Sequence, residues 1–135
     1  MRKIKLLLLF LVTLTLSSCD IQQPSPNPMN DHEIQFEITS NSSSQMQATC
    51  LVSPAQGTDY FVCENEEFIG NYSNTFYANS GDIVTGELIL LAGNSYQGDF
   101  TLNIYVDGVL FITSGQYFQG VLVQEMILNI QANIP

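Results

Sequence analysis

From Glu33 onward the chain alternates apolar and polar residues with a period of two, the spacing of strands that bury one face. In EIQFEIT, Ile34, Phe36 and Ile38 share one face, while Gln35, Glu37 and Thr39 share the other. A polar turn over Asn41–Ser44 leads to QMQATCLV, where Met46, Ala48, Cys50 and Val52 line up together. The same pattern predicts strands over 58–64, 74–79, 82–92, 99–106, 109–114 and 120–131. Their separators, SPAQG, NSGD, AGNSYQGD and Asp107-Gly108, carry turn chemistry. No segment shows a helical stripe, and no internal repeat is evident.

DFTLNIYVDGVLFITSG is the clearest hairpin. Asp-Gly between two apolar runs suits a type I′ turn, which needs positive φ at both central residues. Centring on it pairs Val106 with Val109, Ile104 with Phe111 and Leu102 with Thr113. Both faces are then partly apolar, as expected of a central strand pair. The fold expected for residues 33–135 is one domain, an antiparallel immunoglobulin-like β-sandwich of about seven or eight strands. The tryptophan that marks antibody domains is absent.

The first thirty-two residues follow different rules. Met1-Arg2-Lys3-Ile4-Lys5 is basic, and an apolar run from Leu6 to Leu16 follows, too short to span a bilayer. Leu16-Ser17-Ser18-Cys19 resembles the bacterial lipobox. That resemblance implies a lipoprotein signal peptide over 1–18, cleavage before Cys19 and acylation of Cys19. DIQQPSPNPMNDH then reads as an extended, proline-rich tether over 19–32. The expected location is the bacterial cell envelope, on a membrane facing the periplasm or the cell surface.

Processing sharpens the charge. The whole chain has 13 acidic and 3 basic residues, and Arg2, Lys3 and Lys5 all lie in the signal. The mature protein therefore has no lysine or arginine. Nucleic-acid binding, which depends on those side chains, is excluded. Lysine nucleophiles and arginine clamps for phosphate are excluded with it. Such a surface attracts cations or a basic protein face, and it also keeps an anchored β domain soluble.

Cys50 and Cys63 are exported cysteines, which favours oxidation. A hairpin centred on Gln56-Gly57 sets them opposite each other, and a disulfide closing about 14 residues would stabilise by roughly 3 kcal/mol. Two buried free thiols or a redox pair are the alternatives. His32, the single histidine, falls in the tether, which removes the usual Ser-His catalytic arrangement and a zinc site. Glu64, Glu66 and Glu67 in CENEEF form the densest acidic group, with Glu64 and Glu66 alternating on one side of a strand end. They are candidates for a hard cation, Ca²⁺ by their chemistry, against the plainer reading of a solvated charge run. Tyr72 and Tyr77 are candidates for an aromatic binding face. No cofactor is otherwise indicated.

Residues 75–120 resemble the later half of small envelope proteins of the MmpS-like type and related small lipoproteins of Bacteroidota. Phe76, Ala78, Gly81, Asp82, Gly98, Thr101 and Ile104 to Gly108 carry the likeness. It implies an immunoglobulin-like sandwich at the envelope, in some cases beside a transport partner, and brings no catalytic residues. The first half of the chain departs from the pattern, and the anchor is a lipid rather than a membrane helix.

These readings together predict a non-catalytic, lipid-anchored binding or accessory module whose partner is an envelope protein with a basic surface. A surface adhesive or structural subunit is the alternative, followed by a carboxylate-dependent enzyme acting on glycans. The anchor itself is directly testable. Cys19→Ala should leave residues 1–18 attached and abolish labelling by radioactive palmitate. A processed, labelled variant would rule out Cys19 as the anchor.

Overall fold

The computed structural model describes residues 31–135; the expected signal peptide, Cys19 and most of the expected tether lie outside the described residues. Eight strands follow in chain order: β1 Asp31–Ser40, β2 Met46–Ser53, β3 Tyr60–Phe68, β4 Tyr72–Asn79, β5 Ile83–Leu90, β6 Ser95–Val106, β7 Val109–Val121 and β8 Met126–Asn133. They form two four-stranded sheets with orders β4-β1-β6-β7 and β3-β2-β5-β8. Every pairing is antiparallel. The expected β-sandwich is present. Its connectivity differs from the ABED and CFG sheets of antibody domains, so the immunoglobulin comparison holds for the architecture alone.

The order has a simple origin. β1 and β2 form one arm, β3 and β4 the returning arm, of a ribbon folded across the sandwich. β5 and β6 pair with β8 and β7 in a second folded ribbon. The two ribbons join along β1–β6 and β2–β5. Exchanging the first four strands for the last four therefore swaps the sheets. This is a duplication of topology without visible sequence repetition. The second ribbon holds one register through its bend, from Ser95↔Val121 to Leu90↔Met126. Gly93 N–H donates to Leu122 O and Leu122 N–H to Asn94 O, which clamp the fold line.

The alternating faces meet between the sheets. Ile34, Phe36 and Ile38 from β1 and Met46, Ala48, Cys50 and Val52 from β2 are all fully buried. Burial of this kind is the main driving force of the fold. Phe36 crosses to the opposite sheet and lies on β5 at Gly86. A β-carbon there would come within 2.4 Å of Phe36 Cε2.

Three details correct the expectations from sequence. β1 begins at Asp31, so His32 is a strand residue paired with Ala78 and does not belong to the tether. In the Asp-Gly hairpin, Asp107 and Gly108 do take positive φ, and Val106 faces Val109. Beyond that, Phe111 is an extra residue: Ile104 pairs with Ile112, and Leu102 with Ser114. The bulge re-aims the strand, leaving Phe111 exposed while Ile112 packs against the core. Finally, the hairpin is not a central pair, because β7 forms the edge of its sheet.

Gly86→Ala should destabilise the domain by about 1–3 kcal/mol, the usual cost of overpacking a filled core. For a domain of this size that means a fall in melting temperature of roughly 4–8 °C per kcal/mol. Thermal and urea melts measure it. An unchanged midpoint would mean that the Phe36 ring is free to retreat.

Candidate functional site

CENEEF forms the last six residues of β3, which runs on past the expected end at residue 64 and lies on the edge of its sheet. Cys63 pairs with Cys50, yet Glu66 pairs with Ala48, so β3 carries an extra residue between them. Asn65 takes positive φ there, and its N–H donates to Thr49 Oγ1 at 3.0 Å. This bulge breaks the alternation that would set Glu64 and Glu66 side by side. Glu66 instead shares the face of buried Ala48, and its Oε2 accepts from Tyr72 Oη at 2.5 Å across the sandwich edge. Among the described residues, no three His, Cys, Asp or Glu side chains come together as a metal site. The proposed cation site at Glu64, Glu66 and Glu67 therefore does not form in this arrangement.

Tyr72 and Tyr77 do not share a surface either. They are five residues apart, an odd spacing that sends them to opposite faces of β4. Tyr72 packs edge-on to Phe36 and against Phe68. Burial, with hydrogen bonds to Cys63 and Glu66, pushes its phenol well above its ordinary pKa. Tyr77 is 60% exposed on the outer face.

Cys50 and Cys63 do stand opposite each other, brought there by a shift of register from the Leu51–Phe61 and Val52–Tyr60 pairs nearer the turn. Both are free, buried thiols and no disulfide joins them, which corrects the expected pairing. The register shifts on either side of the pair, and the Cys63 thiol donates to Ala48 O at 3.9 Å. Burial raises the pKa of both thiols, and for Cys50 the neighbouring Cys63 adds to it. Protonated, enclosed thiols are poor nucleophiles.

A constellation that sequence reasoning missed lies at the start of β1. His32 Nδ1 is 2.7 Å from Asp107 Oδ2, and His32 Nε2 is 3.2 Å from Ser80 Oγ. Asp107 Oδ1 also accepts from Glu33 N–H at 3.0 Å. The order Ser-His-Asp matches that of hydrolytic triads. Acyl transfer also needs backbone donors for the oxyanion. The two N–H groups after Ser80 are already committed, Gly81 to Ile134 O and Asp82 to Asn79 O. The cluster's hydrogen bonds tie β1 to the β4–β5 and β6–β7 turns. One signal was available: His32 continues the even-numbered core face of Ile34, Phe36 and Ile38.

At the Ser95 end of β6 a hollow is lined by Gln97, Gly98 and Asp99 of that strand, by the loop at Asn41–Ser44 and by Tyr117, the cross-strand neighbour of Asp99 on β7. No protein family, curated protein or solved structure matches the chain. The reading of function rests on this geometry and on the sequence.

The hydrogen bond from His32, with that from Glu33 N–H, lowers the pKa of Asp107 below its ordinary 3.8. A depressed carboxyl stabilises the folded state above its unfolded value and loses that contribution as pH falls through the folded one. Asp107→Asn should melt below the parent at neutral pH, with the gap closing as pH falls below the ordinary carboxyl value of 3.8. A gap independent of pH would show that the charge of Asp107 contributes nothing.

Proposed function

We propose that this chain is a lipid-anchored envelope lipoprotein whose β-sandwich is a non-catalytic binding or accessory module. The observation that carries this reading is the charge distribution. Of thirteen acidic residues only Asp20 precedes the domain, and no lysine or arginine follows Lys5. A surface of one sign favours a partner with a basic face and speeds the encounter with it. The lipobox at Cys19 supplies the anchor, and the likeness of residues 75–120 to small envelope proteins points the same way.

One observation favours the adhesive or structural alternative. β7 is a thirteen-residue edge strand without a charged side chain, and Val109, Leu110, Phe111, Tyr117 and Val121 on it are exposed. An uncharged, open edge is suited to accepting an added strand. Such an assembly would hold through main-chain hydrogen bonds and resist salt.

The two readings separate in one experiment. A C-terminally tagged chain, solubilised in mild detergent, is captured at low salt and again at about 0.5 M, where screening is strong. Co-purification of one stoichiometric envelope protein, lost at raised salt, is the expected result. A solitary protein at low salt would overturn the accessory reading. Salt-resistant oligomers of the chain itself would favour the strand-adding subunit.

A further inference from the structure

We propose that the concavity between the Asn41–Ser44 loop and Tyr117 is a binding site for neutral carbohydrate. The hollow measures about 680 Å³, within the size range of small-molecule sites.

Its walls are held in place. Gly98 takes φ +133, and a β-carbon on it would lie 1.9 Å from Asn41 Oδ1, so the Asn41 carboxamide occupies the space where a side chain would stand. Hydroxyls tie down the rest of the loop. Ser42 N–H donates to Ser40 Oγ, Ser44 N–H to Ser42 Oγ, and Ser44 Oγ to Ser95 O. The loop is thus seated on β6 before any ligand arrives, which lowers the entropy cost of binding.

The lining selects the ligand class. Amides and hydroxyls both donate and accept hydrogen bonds, which matches a ligand bearing many hydroxyls. Asp99 is the single charged group and no cation is present, so phosphate, sulfate and uronate ligands are repelled. One carboxylate is also too few for a hard cation. Tyr117 supplies an apolar surface. Its ring is 56% exposed, and its hydroxyl donates to Gln119 Oε1 two residues along the same face. The exposed ring offers apolar surface to the C–H side of a sugar ring. Asp99 is its cross-strand partner and Gln97 that of Gln119, so hydrogen-bonding groups flank the ring.

Position supports the assignment. β1 starts beside Asp107 and ends at Ser40, next to the hollow. The hollow lies at the end of β1 opposite the one where the chain enters the domain. The inference goes beyond the accessory reading and differs from it in salt response, because a neutral ligand binds without ion pairs.

The test uses the mature, acylated chain in a zwitterionic detergent free of sugar. Cellohexaose, maltohexaose and chitohexaose are titrated by calorimetry, with hexagalacturonate as the anionic control. The expected result is saturable binding of at least one neutral probe, with a Kd on the order of 0.1–1 mM, unchanged at raised salt. Tyr117→Ala should weaken it about tenfold or more and Tyr117→Phe less than about twofold, since the ring face carries the contact. Gln97→Ala, remote from the core, gives a second reading should Tyr117→Ala fail to fold. No heat from any neutral probe, preference for the anion, or undiminished binding by the folded variants would overturn the proposal. A salt-labile protein partner found alongside such a failure would leave the accessory reading standing.

Discussion

The contact of Phe36 with the bare backbone of Gly86 sets how closely the two sheets approach. An aromatic ring from β1 fills the space that any side chain at Gly86 would occupy. Around that contact Ile34, Phe36 and Ile38 of β1 and the even-numbered residues of β2 reach full burial, and β6 adds Phe100, Leu102 and Ile104. β1 and β2 are inner strands of their sheets and belong to the same folded ribbon. The first ribbon thus supplies one side of the core from each sheet, and the second ribbon encloses it. Close packing of this kind leaves little freedom to change volume.

Charge imposes the second constraint. A domain with acids on both sheets and no lysine or arginine has few means of neutralising them. His32 is the only histidine, and it is bonded to the Asp107 carboxylate at the corner where β1 begins. Elsewhere carboxylates are satisfied by neutral donors. Asp82, nearly buried, accepts from Ala55 N–H and Asn79 N–H, and Glu66 accepts from Tyr72. Hydrogen bonds therefore take the place that ion pairs fill in a more balanced protein. The cost is a surface of one sign, which restricts the partners that can approach.

The proposed binding hollow lies away from the acidic cluster that first draws attention in the sequence. Glu64, Glu66 and Glu67 are separated by a bulge, and Tyr72 is drawn into the sandwich. The hollow beside Tyr117 is assembled from three segments that look like ordinary turn and strand residues. Its loop, NSSSQ, reads only as a polar turn until Gly98 is seen to make room for Asn41.

Strand number, the buried faces of β1 and β2 and the Asp-Gly turn were legible in the sequence. Each depends on period-two alternation or on the φ preference of a few residues, and these are local properties. Sheet order, the edge position of β7, the bulges at Asn65 and Phe111, and the meeting of His32 with Asp107 and Ser80 were decided by tertiary structure. A bulge shifts the partner by one residue without changing composition, and a side-chain cluster spanning 75 positions depends on which strands become neighbours. Alternation says which face is buried. Only the packing of two folded ribbons decides what that face meets.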